Sequence, residues 1–159
     1  MKKVLIALDN NAGAQKVAAT GYELSKALHA HTILMHVTSD PTYYSSLNYS
    51  PITGFDTFSD LDVEQTNAVN KLKRKAQDYL DNAKQNLGDE TIETVLKEGD
   101  YAENILQTAK EMKVDIIVVG THSRKGLDKV LLGSVAEKIL HHTTIPLFII
   151  PVKSAEEEE

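Results

Sequence analysis

Five short apolar runs, separated by stretches of helical period, constrain this chain of 159 residues more than any other feature. Val4–Leu8 (VLIAL), Thr32–Val37 (TILMHV) and Asp115–Val119 are too short for buried helices and rich in branched side chains, so they are read as strands buried on both faces. Pro146–Pro151 is read as the last strand, and the more polar Thr91–Lys97 as an edge strand. Between them, apolar or small residues recur with the spacing that gives a helix one buried face. These sets are Ala14, Val17, Ala18, Gly21, Leu24 and Leu28; Leu72, Ala76, Leu80, Ala83 and Leu87; Ile105, Leu106, Ala109 and Met112; and Leu131, Leu132, Val135, Ile139 and Leu140. Gly88 is placed to close the second helix, and Asp100 with Glu103 has the spacing of a capping box for the third. Asp60 and Asp62 complement a helix N-terminus, and Thr38–Ser59, with two prolines and no periodicity, reads as a long loop. Strands alternating with helices imply an α/β fold: an open parallel sheet with right-handed crossovers and helices on both faces.

Composition removes several function classes. Apolar residues at 42% and charged residues at 25% are those of an ordinary soluble domain, and the length suits one domain without repeat or linker. The chain has no cysteine, which eliminates disulfides, thiolate metal sites and cysteine nucleophiles and suits a reducing compartment, so a cytoplasmic protein is expected. Five apolar residues before Asp9 are too few for a signal peptide, and no run approaches the length that crosses a membrane, so no membrane partner is expected. The formal net charge is −6, and Glu156–Glu159 supply four of those negative charges. A body so near neutrality, without a concentrated Lys/Arg face, argues against nucleic acid as partner. Residues 1–153 are expected to form the domain and residues 154–159 a disordered acidic tail.

In an open parallel sheet, ligands bind beyond the carboxyl ends of the strands, where the strand order reverses. Asp9 and Gly120 terminate the two most apolar runs and are expected to flank that point. A carboxylate there can accept hydrogen bonds from the vicinal hydroxyls of a ribose; alternatively, Asp9 caps the helix that follows. Gly133 and Ser134 directly precede apolar helical turns, where free N–H groups and the positive end of the dipole favour an anion, and Arg124, Lys125 and Lys129 stand in the loop before them. That segment reads either as an anion cradle or as a capped helix behind a solvated basic loop. Neither the G-x-x-x-x-G-K-[ST] nor the G-x-G-x-x-G phosphate motif occurs in the chain.

Gly120, Ser123, and Gly133-Ser134 after nine intervening residues stand in the frame G-x2-G-x9-G-[ST], with serine at the second glycine. With Asp9 after the first strand, His36-Val37 ending the second, Gly99-Asp100 before the third helix and Ile145-Pro146 before the last strand, the whole chain resembles the universal stress protein family of the UspA type. That resemblance implies a single-domain five-stranded sheet of order 3-2-1-4-5 with ATP as the cofactor at its carboxyl edge, with Mg possible through the phosphates. It further implies Asp9 on the ribose with Ala7 nearby, the Val37 backbone on adenine, and Val119 and Gly120 on the base and sugar side. Ser123, Gly133, Ser134 and Val135 would meet the phosphates, and His122 matches a residue often seen in the family's loop. If the family glycine has positive φ, Ser123 costs roughly 1–2 kcal/mol, or about tenfold in affinity.

Other features are read conservatively. The remaining histidines lack metal-ligand spacing, and His36 is expected to be a half-buried strand residue. No G-x-S-x-G elbow accompanies His122 and Ser123, so no catalytic residue is assigned. Tyr43, Tyr44 and Tyr49 either cover a ligand or partner, or pack on the following helix. The apolar last strand, Pro146 to Val152, is an edge under the implied strand order, and a homodimer through it is expected. The resulting expectation is a homodimeric, ATP-binding regulator in stress response without strong catalysis; the alternatives are a slow ATPase or phosphotransferase of the same fold, and a dimeric interaction protein that binds no nucleotide.

Overall fold

Alternate residues of the three central strands belong to two different apolar cores, which is why their sequences are apolar without interruption. The computed structural model describes residues 1–10, 12–39, 58–121 and 132–152, residues 58–65 by backbone alone. The elements run β1 (Lys3–Leu8), α1 (Ala14–Ala27), β2 (His31–Thr38), α2 (Phe58–Leu87), β3 (Glu93–Glu98), α3 (Tyr101–Glu111), β4 (Ile116–Gly120), α4 (Ser134–His142) and β5 (Leu147–Ile150). All four strand pairs are parallel and the order is β3-β2-β1-β4-β5, as the resemblance implies. Leu5, Ile33, Met35, Val37, Ile117 and Val119 join α3 and α4 in one core. Val4, Ile6, Leu8, Leu34 and Val118 join α1 and α2 in the other.

Helix α1 lies close on the sheet because Gly21 has no side chain: a Cβ there would stand 2.9 Å from Cδ1 of Ile6. Two helices end on left-handed residues that are not glycine. His29 (φ 52) closes α1, with Ala30 N–H on Ser25 O at 2.9 Å and His29 N–H on Lys26 O at 3.0 Å. Lys113 (φ 55) closes α3 by the same pair of bonds, to Ala109 O and Lys110 O. Both have the hydrogen-bond pattern of a Schellman motif, whose left-handed position usually carries glycine. Gly88 (φ 70) closes α2 as expected.

Several expectations need correction. Leu72 is 53% exposed rather than in the core, because a 30-residue helix is about 45 Å long and outruns strands of about 20 Å. Helix α4 starts at Ser134, so Leu132 precedes it; Gly133 at φ 85, ψ 151 cannot belong to a helical turn. Leu140 is 49% exposed, one position past Ile139, which takes the core site. Helix α2 already begins at Phe58, inside the segment read as loop, while Tyr43, Tyr44 and Tyr49 lie outside the described residues. The acidic tail at 154–159 also lies outside them. His36 is fully buried, at 2% exposure, because its ring faces the core under α1 and α2. The capping box is half formed: Asp100 Oδ1 accepts from Glu103 N–H at 2.9 Å, while the Glu103 carboxylate is 3.6 Å from Lys138 on α4.

Candidate functional site

The two central strands part before they end. β1 pairs with β4 only from Val4↔Ile116 to Ile6↔Val118. Beyond that, Ala7 and Leu8 pair with β2 alone, and Val119 and Gly120 with β5 alone. A cavity of about 260 Å³ opens in the gap at the carboxyl edge, where the strand order reverses.

Six of the residues expected in a site line this cavity: Ala7, Asp9, Val37, Val119, Gly120 and Val135. Gly133 and Ser134 stand just outside its lining, at the start of the helix whose next residues, Val135 and Ala136, form part of the wall. His122 and Ser123 lie outside the described residues, as do Arg124, Lys125 and Lys129. The sequence reading missed Leu8, Asn10, Met35, Tyr101, Ile105 and Ala136. Met35 shares the strand parity of Val37, and Tyr101 opens the helix after the Gly99-Asp100 turn, so both had a legible signal.

Asp9 does not cap α1. The N-cap of that helix is Gly13, without a side-chain cap, and Asp9 instead sits on the cavity wall. Its carbonyl accepts from the Tyr79 hydroxyl at 2.5 Å. Burial, then the Asp9 charge, push the Tyr79 phenol up to about 12, so it remains a protonated donor. Gly120 is a packing position as well as a wall: a Cβ there would meet Val17 Cγ2 at 2.6 Å. Past it, Thr121 N–H reaches Ile150 O at 3.0 Å and Val152 N–H donates to Thr121 Oγ1 at 2.8 Å, which fixes the chain leaving β4.

Across the gap, α4 has no side-chain cap, and its first intrahelical bond runs from Glu137 N–H to Gly133 O at 3.0 Å. The N–H groups of Ser134, Val135 and Ala136 therefore have no acceptor within the helix, and the positive end of its dipole faces the cavity wall. An apolar slot lined by Asp9 and by the first turn of α4 suits a flat ring, a hydroxyl-bearing linker and an anion. A second cavity, of about 500 Å³, lies on the other face of β2 against α2 and shares Asn10 and Tyr101 with the first.

Residues 1–151 match the model of the universal stress protein family. The chain belongs to the universal stress protein family. It is 29% identical over 150 residues to universal stress protein YxiE of Bacillus subtilis, covering 93% of this chain and 97% of that protein. Universal stress protein MJ0577 of Methanocaldococcus jannaschii is 28% identical over 158 residues, covering 97% of both chains. The solved structure of MJ0577 superposes with a TM-score of 0.71 at 25% identity, covering 97% of this chain and 98% of that one. A universal stress protein solved in complex with cAMP shares the fold at a TM-score of 0.54 and 20% identity, covering 94% and 95%. Among the described residues no helix is long and apolar enough to cross a membrane.

Proposed function

We propose that this universal stress protein is an adenine-nucleotide-binding module that takes ATP at the carboxyl edge of its sheet and acts as a homodimeric regulator in stress response rather than as a catalyst. The supporting observation is the first turn of α4: Val135 and Ala136, whose N–H groups have no acceptor within the helix, line the same cavity as Asp9, with Ser134 just outside it. On this reading the Val37 backbone meets the base, Asp9 accepts from the ribose hydroxyls with Ala7 nearby, and Val119 and Gly120 line the base and sugar side. Gly133, Ser134 and Val135 meet the phosphates through backbone amides and the Ser134 hydroxyl, with Mg held through the phosphates themselves. His122 and Ser123 are assigned to the phosphate side on the motif frame alone. The homodimer is supported by the edge position of β5, whose Phe148 is 41% exposed.

Titration calorimetry with Mg-ATP, in parallel with ADP and cAMP, tests the reading. ATP binding tighter than about 1 mM is expected, a free energy of about −4.1 kcal/mol or better. Gly133→Asp should abolish it: the new carboxylate suits the helix dipole but repels a phosphate at the same amides. No heat and no thermal shift at millimolar Mg-ATP would overturn the reading. Mass spectrometry of ligand released from freshly purified, denatured protein distinguishes ATP from other adenine nucleotides.

A further inference from the structure

At the last ladder pair with β2, Leu8↔His36, and one residue beyond it, two successive carbonyls of the chain accept from side chains. Leu8 O accepts from His36 Nδ1 at 2.7 Å, and Asp9 O accepts from the Tyr79 hydroxyl at 2.5 Å. A carbonyl only accepts, so Nδ1 carries the proton, which fixes the tautomer of His36. The donors come from different elements, β2 and α2, on the sheet face opposite the core under α3 and α4. Their rings brace each other edge to face with centroids 5.0 Å apart, and Tyr101, on the cavity wall, meets the His36 ring at 6.4 Å.

We propose that His36 and Tyr79 are positioning residues for the candidate nucleotide cleft: by holding the Leu8 and Asp9 carbonyls, they set the peptide planes on either side of Asp9 and so fix where its carboxylate stands. The inference rests on the nucleotide reading for its ligand, but not for its geometry. Neither residue touches the cavity occupant in this role. They act where β1 has parted from β4 and its ladder with β2 ends, so the chain at Asp9 is held from the α2 side of the sheet and the carboxylate is kept in line with the ribose.

The test compares His36→Leu, His36→Asn and Tyr79→Phe in the full chain. Asparagine keeps a nitrogen donor at the Nδ1 position; leucine keeps an apolar side chain of suitable size without one. If His36 merely filled the core, leucine would serve a 2% exposed site at least as well as asparagine. The expected order is the reverse: Mg-ATP affinity falls about tenfold in His36→Leu and Tyr79→Phe and stays within about threefold in His36→Asn. The preference for ATP over 2′-deoxy-ATP should also drop toward unity in Tyr79→Phe. Amide exchange at Asp9 and Asn10 provides a readout without ligand, and it should speed up in His36→Leu and Tyr79→Phe but not in His36→Asn. A wild-type protein that binds no nucleotide removes the ligand reading, and exchange alone then decides the positioning role. Equal affinity or equal exchange in the leucine and asparagine variants overturns it.

Discussion

Gly120 and Val17 are in such close register that a single methyl group at Gly120 would stand 2.6 Å from Cγ2 of Val17. Gly120 ends β4 on the cavity wall and Val17 belongs to the core under α1, so one glycine couples helix packing to the width of the cleft. Gly120→Ala should therefore destabilise the fold by about 1–3 kcal/mol, the usual cost of overpacking. Val17→Ala opens room for that methyl group. The double variant should recover part of the loss in thermal unfolding, and additive losses would show that the contact is not the cause.

Asp100 caps α3 and also faces Lys138 of α4 at 3.4 Å. The Glu103 backbone N–H, followed by Lys138, holds its carboxyl below the ordinary value of 3.8. A carboxylate depressed in the folded state stabilises it above the unfolded value, and that contribution is lost as pH falls through the folded value. Asp100→Ala should cost about 0.5–2 kcal/mol near neutrality as a lost cap. Melting temperatures of the two proteins should converge as pH drops below 3.8. A gap that persists undiminished at the most acidic pH would refute the linkage.

His29 and Lys113 hold left-handed backbone with φ 52 and 55 at the ends of α1 and α3. A side chain in that conformation costs roughly 1–2 kcal/mol relative to glycine, against which glycine adds flexibility to the unfolded chain. His29→Gly and Lys113→Gly should each raise the melting temperature, by roughly 2–4 °C per kcal/mol gained at this chain length. The increments should add, since the two caps close different helices on opposite faces of the sheet.

The strands were legible because burial on both faces leaves a continuous apolar signature, seen in Val4–Leu8 and Ile116–Val119. Strand order was legible only through the resemblance, since nothing in the local pattern of Leu147–Ile150 says which strand it pairs with. At the site, Asp9 and Gly120 were legible because each marks where a central strand stops at the carboxyl edge of the sheet, whereas Val37 came only through the resemblance. Ile105 and Ala136 were not, because an apolar residue of a helix reads the same whether it faces a core or a cavity. The role of Tyr79 was equally hidden: it sits 70 residues from Asp9 in sequence, and only tertiary packing brings its hydroxyl there. Leu72 and Leu140 misled for the opposite reason, having helical spacing but no sheet beneath them.

Strand β5 stands at one edge of the sheet. Among the described residues β5 pairs with β4 alone, through Ile117↔Leu147 to Gly120↔Ile150, so its other side is an edge open to a further strand. Phe148 is 41% exposed on that strand, with Leu147 and Ile149 half-buried beside it. Pairing with a second copy would cover both the backbone and the ring. Light scattering after size exclusion should then report twice the chain mass of 17.6 kDa for the wild-type protein. Phe148→Lys places a charge in the covered face and should shift that mass to the monomer while far-ultraviolet dichroism stays unchanged. A wild-type monomer, or a dimer indifferent to Phe148→Lys, would show that this edge is not the interface.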